Sequence, residues 1–246
     1  RAGHLDALEL PGLTRDRRPV IAGGFAIMAG LFAELEIEQM DVAETAMREG
    51  ILYDLLGRFH QHDMREATVN EFMRRYHIDT LQAKRVRQMA VKLLRACRGG
   101  NENDVRFLDW AARLHEIGLM VSHGGYHRHS GYILENADMP GFSRTDQARL
   151  ALLARAQRGA LTKLSAFSME TVSDSERLLV WLLRQAVILC RSRADAHLPE
   201  VAVETGSKRF RLTLPEGWLE SRPLTQRALE EEAAYWQSAG IKYLFA

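Results

Sequence analysis

Apolar residues recur at 3-to-4 spacing through most of the chain, the period of amphipathic helices, and alternate only near its end. Ile78, Val86, Met89, Ala90 and Leu93 share one face of a helix predicted over 79–98, with Asp79 or Thr80 as its N-cap. The same period predicts helices over 66–76, 104–119, 143–157 and 174–191, with a shorter one over 130–136 after a Gly124-Gly125 turn. Breaks fall at 98–103, which holds Gly99-Gly100, and at Pro140-Gly141. Upstream, 5–10 is a short apolar-periodic stretch closed by Pro11-Gly12. Residues 19–22 read as a buried strand, Gly23-Gly24 as a tight turn, and 25–35 as the helix that follows. A second strand over 38–42 and a helix over 43–57, interrupted at Gly50, complete this first part. Downstream, 200–204 and 209–214 alternate around a hairpin at Gly206-Ser207, followed by a helix over 223–238 and a strand over 242–246. The expected class is mainly α with α/β ends, in three parts: 1–58, an all-helical 59–195, and a small α/β part over 196–246.

Composition narrows the function. The chain's 246 residues are 46% hydrophobic, enough for a real core. A formal net charge of +1 leaves no global basic footprint, so nucleic acid is not the expected partner and any polyanion site is a local patch. Cys97 and Cys190 make no Cys-x-x-Cys pair and no disulfide framework, which fits a reducing cytoplasm. Apolar runs are short and broken by charge, so no membrane span is expected. The chain opens on Arg1 without a signal-peptide pattern, which fits a fragment or a processed chain.

The chemistry concentrates in one block. Four of nine histidines, His115, His123, His127 and His129, lie within fifteen residues. Leu114-His-Glu-Ile-Gly118 resembles the HD phosphohydrolase signature, in which a His-Asp pair, an upstream His and a downstream Asp ligate a metal. The matching positions here are His115, Glu116, Gln82 and Val187. One ligand of four remains, too few for a metal shell, so no metal ligand is assigned and His115 reads as a hydrogen-bonded core residue. The turn with His123, His127, Arg128 and His129 offers fork-like and charge-assisted donors for phosphate on a mobile, glycine-permitted loop; the alternative is a polar loop whose histidines cap neighbouring helices. Lys84, Arg87, Arg95 and Arg98 approximate one stripe, either a solvated helix face or a track for a linear polyanion. Gly23 and Gly24, after an apolar strand, would let backbone approach a phosphate or nucleotide, although no P-loop Lys-Ser/Thr follows; the alternative is a plain strand–helix turn.

Several blocks carry a wider resemblance. They include Ala22-Gly-Gly-Phe-Ala-Ile27, Arg48-Glu-Gly50, Tyr126-His-Arg-His-Ser130, Tyr132-Ile-Leu-Glu-Asn136 and Pro140-Gly-Phe142. In this order the chain resembles the C-terminal half of the exopolyphosphatase / guanosine pentaphosphate phosphohydrolase family, and within it the long exopolyphosphatases. The resemblance implies that 1–58 ends the second of two actin-like (ASKHA) domains, that 59–195 is an HD-like helical domain, and that 196–246 is the C-terminal α/β domain. It implies removal of terminal orthophosphate from polyphosphate, Mg2+ in the parent enzyme, and a homodimer. The family's catalytic carboxylates lie upstream of Arg1, so no catalytic residue and no cofactor is assigned to these residues, and this chain alone is expected not to hydrolyse polyphosphate. Phosphate-chain binding is assigned to His123, His127, Arg128, His129, Lys84 and Arg87, and cofactor contact to Gly23 and Gly24. Two other readings stay open: an HD-type guanosine tetra- or pentaphosphate phosphohydrolase, and a non-enzymatic module that binds a phosphorylated ligand.

Overall fold

Helix α1 (Arg18–Glu34) replaces the strand predicted over 19–22. Pro19 sits in its first turn, where a missing N–H costs nothing, and a short apolar run cannot distinguish a strand from a helix by period alone. The computed structural model describes residues 10–40, 64–97, 101–161, 172–194 and 199–246. Most of the 5–10 stretch, the 43–57 helix and the Arg48-Glu-Gly50 block lie outside these residues, as do residues 41–42 of the 38–42 strand; residues 38–40 form no regular element. The chain divides into two compact units, Arg1–Leu52 and Tyr53–Ala246. In the first, α1 has no buried residue, and Phe25 is 74% exposed.

The second unit begins with α2 (Met64–Arg75), α3 (Thr80–Ala96) and α4 (Glu102–Leu114). A 3-10 turn (Ile117–Met120) follows, then α5 (Tyr126–Asn136), α6 (Arg144–Ala156) and α7 (Asp174–Leu189). Local chemistry sets these starts. Asp79 caps α3, its carboxylate accepting from the Leu81 and Gln82 amides, both at 3.0 Å. Asn101 with Asp104, Ser143 with Asp146 and Ser173 with Glu176 form reciprocal capping boxes on α4, α6 and α7. Asp79→Ala is expected to cost about 1 kcal/mol, measured by urea denaturation. The Gln82 amide is the first cause holding the Asp79 carboxyl below its usual pKa; partial burial opposes it and Arg193 assists. Its capping contribution is therefore complete above about pH 4, the unfolded carboxylate range, and is lost as pH falls through the lower folded value.

Strands β1 (Ala202–Gly206) and β2 (Arg209–Thr213) form an antiparallel hairpin with Gly206 opposite Arg209. Helix α8 (Pro223–Ser238) then crosses over to β3 (Lys242–Phe245), which pairs parallel to β2 with Phe210 opposite Tyr243. A parallel neighbour requires such a crossover. The sheet order is β1-β2-β3. Leu93, Phe107, Leu150, Trp181 and Leu182 from the helices form one core with Phe210, Leu212, Leu229, Trp236 and Tyr243 from the α/β segment. No helix among the described residues is long and apolar enough to cross a membrane.

Candidate anion site at the histidine turn

The helix predicted over 104–119 stops at Leu114, and the structure shows why. Gly118 is crossed by the start of α5: a Cβ there would lie 2.1 Å from the Tyr126 carbonyl oxygen and 2.5 Å from the Ser130 nitrogen. Ser130, fully buried, stitches this crossing. Its Oγ accepts from the Gly118 amide at 3.0 Å and donates to the His115 carbonyl at 2.9 Å. Gln157 Nε2 donates to the same carbonyl.

His115 is 1% exposed. Its Nδ1 lies 2.7 Å from the Ala112 carbonyl, and its Nε2 is buried without a hydrogen-bond partner among the described residues. Burial pushes its pKa down, against a weaker upward pull from Glu116. Glu116 Oε1 lies 3.9 Å from that Nε2 but is engaged by Arg193, which also donates to Asp79 Oδ2 at 2.9 Å. Gln82 donates to the Cys190 carbonyl at 3.0 Å, one turn beyond Val187. A guanidinium thus bridges Glu116, beside His115, and Asp79 at the start of α3. Among the described residues no three His, Cys, Asp or Glu side chains converge as a metal site.

The histidine turn is not the loop expected from its glycines. Helix α5 starts at Tyr126, so His127, Arg128 and His129 occupy its first turn. Gly125 is the N-cap in the left-handed region, φ 69°, and offers no side-chain cap. No side chain caps the first turn of α5, where the Arg128 amide donates to the Gly125 carbonyl at 2.8 Å; a helix N-terminus without a side-chain cap favours an anion. His127 is half-buried, and its Nδ1 is buried with no hydrogen-bond partner among the described residues. Its Nε2 lies 3.7 Å from the position of a Cβ on Gly159. Burial is the first cause holding this imidazole below its usual pKa; the charges of Arg128, Arg158, Arg184 and His129 add to it. Arg128 is exposed, and the Arg158 guanidinium carbon stands 5.7 Å from the centre of the Tyr126 ring.

A family model described as Ppx/GppA phosphatase, domain III, matches residues 64–233. The chain belongs to the Ppx/GppA phosphatase family. A second model, described as the Ppx/GppA phosphatase family, matches residues 1–59. The chain is similar to the guanosine-5'-triphosphate,3'-diphosphate pyrophosphatase of Pseudoalteromonas translucida (strain TAC 125), at 39% identity over 245 residues. That alignment covers 97% of this chain and 49% of the relative, so the chain spans about half the length of the curated relative it matches.

Within this Ppx/GppA chain the residues singled out from sequence fall in three places. His127, Arg128 and His129 share the first turn of α5, with His123 exposed in the approach to it. Lys84 and Arg87 lie on α3, which packs on α4, α7 and β1, whereas α5 packs on the 3-10 turn and α6. Lys84 is exposed, while Arg87 pairs with Asp109 on α4. Arg87, Gln88, Val91, Lys92 and Arg95 line an open cavity of about 440 Å3. Gly23 and Gly24 sit inside α1, where an added Cβ would meet nothing within 4 Å. The strand–turn–helix premise for cofactor contact is therefore corrected: these glycines form no tight turn. Arg158, Arg184 and Arg193 follow or sit within apolar helices and carry no local motif that would mark them in the sequence. The short spacing between Arg158 and Gly159, just past α6, was the one available signal.

Proposed function

We propose that this chain is the C-terminal part of a phosphoanhydride hydrolase, in which an HD-like helical domain binds a phosphate chain while hydrolysis occurs in actin-like domains. One observation carries the reading: the uncapped N-terminus of α5 presents His127, with an unpartnered buried Nδ1, beside Arg128 and Arg158. A phosphoryl oxygen there would accept from the amides at the start of α5 that precede Arg128 and from the Arg128 guanidinium. Inorganic polyphosphate is the substrate class, because a linear chain could also occupy the α3 cavity lined by Arg87, Lys92 and Arg95. The relative's name supports a second reading, a guanosine 5'-triphosphate 3'-diphosphate substrate, which offers the same phosphoanhydride oxygens. A homodimer and a cytoplasmic setting belong to the same proposal. Magnesium would neutralise charge on the reacting phosphoryl group; the described residues do not fit it, since Arg193 already engages Glu116.

Titration calorimetry with long-chain polyphosphate tests the binding role. His127→Ala with Arg128→Ala is expected to weaken binding about tenfold and to flatten its salt dependence. Unchanged affinity and unchanged salt slope would sink the proposal. Competition by guanosine 5'-triphosphate 3'-diphosphate, stronger than by tripolyphosphate at equal concentration, would select the second reading.

A further inference from the structure

The C-terminal α/β segment reaches the anion site through one buried ion pair. Arg184 on α7 and Glu232 on α8 have side chains only 2% and 4% exposed. The pairing is bidentate: Arg184 Nε donates to Oε1 and Nη2 donates to Oε2, both at 2.6 Å. The same guanidinium reaches the other way. Nη1 donates to the Ala156 carbonyl at 2.5 Å and Nη2 to the Gly159 carbonyl at 2.9 Å. These carbonyls end α6 and form the turn against which His127 lies. Glu232 is held in turn by Trp236 Nε1 at 2.5 Å.

We propose that Glu232 is a positioning residue that sets the strength of the anion site, by fixing Arg184 beneath the His127 turn and cancelling its charge. This rests on the phosphate reading given above. The physical reason is the short range and low polarity of the setting. A buried guanidinium facing His127 adds positive potential, and a carboxylate in bidentate contact removes most of it at any distance beyond the pair. The C-terminal segment, seated by Glu232, therefore holds anion affinity below what the arginines alone would give. Displacing α8 would release that charge toward the site.

The groups facing His127 are Arg128 and His129 on its own helix, Arg158 after α6, and Arg184 on α7. Glu232 acts on this set through Arg184. The test uses the full chain and inorganic tripolyphosphate. Glu232→Gln keeps the side chain's shape and drops its charge. It is expected to tighten tripolyphosphate binding about threefold or more at low salt, with the gain shrinking as salt rises. Glu230→Gln, on the exposed side of the same helix, is expected to leave affinity unchanged. Weaker or equal binding by a folded Glu232→Gln protein would overturn the proposal, because a merely structural role loosens the site. Should that variant not fold, Arg184→Gln with Glu232→Gln carries the test, since it leaves no unpaired buried charge. Affinity within about twofold of the parent supports cancellation; a larger fall places the cation on the anion itself and overturns it. Imidazole titration by NMR separates this idea from the phosphate reading. Glu232→Gln is expected to lower the His127 pKa further even without any anion, and an unmoved His127 titration would count against the charge link. Failure of the parent chain to bind tripolyphosphate would instead remove the phosphate reading.

Discussion

Gly118→Ala is expected to destabilise the helical unit by about 3 kcal/mol or more, the largest effect of any single methyl group in the described structure. The Cβ would fall 2.1 Å from a backbone oxygen and 2.5 Å from a backbone nitrogen. Neither atom is the far end of a flexible side chain, so α5 itself must move. Moving it breaks the Ser130 bonds to Gly118 and His115 and displaces the first turn of α5, where the anion site is proposed. Stability by urea denaturation and polyphosphate affinity should fall together. A loss below about 1 kcal/mol would show that the crossing relaxes cheaply. Gly125 makes a useful contrast. Its added Cβ would meet the Arg128 side chain, which can swing away, so the cost there comes from its φ of 69°. It should be about 1–2 kcal/mol.

Trp181→Ala is expected to cost about 3–5 kcal/mol and to unseat the C-terminal sheet. The side chain is fully buried in α7. Its ring stacks on Phe210 of β2 at 4.9 Å between centroids and meets Tyr243 of β3 edge-on at 5.6 Å. One residue therefore joins the helical core to two of the three strands. Its Nε1 is buried without a hydrogen-bond partner among the described residues, so the indole contributes through packing and area. Limited proteolysis should release a fragment near 199–246 from the alanine variant, while Trp181→Phe should retain most of the stability. Equal protease resistance of the alanine variant would show that other contacts seat the sheet.

Where a local cause was sufficient, the chain was readable in advance. The helices over 66–76, 143–157 and 174–191 match within about two residues, because the apolar period sets all three and Ser143 and Ser173 cap the latter two. The expected N-cap Asp79 does cap α3. The C-terminal hairpin followed from alternation, though β1 is displaced toward Gly206. Three readings changed for reasons no local pattern carries. Residues 19–22 are helical because a short apolar run fits either period and Pro19 suits a first turn. The helix ending at Leu114 stops because α5 crosses Gly118 from twelve residues downstream. His127, Arg128 and His129 are helical because the Gly124-Gly125 turn ends at once and α5 starts at Tyr126.

The candidate site divides the same way. Residue types mark it: a His-Arg-His run beside glycines is a donor cluster in any fold. The sequence by itself thus determined the mainly helical class and offered the Asp79 cap, and it marked the donor cluster proposed to face a phosphate. Only tertiary structure decided which cations join it. Arg158 and Arg184 lie 30 and 56 residues beyond Arg128 in the chain, and their charges act on His127 because Arg158 follows α6 and Arg184, within α7, holds the Gly159 turn beside it. Electrostatic potential depends on distance in space, and a distant guanidinium and the carboxylate that cancels it leave no trace in spacing along the chain.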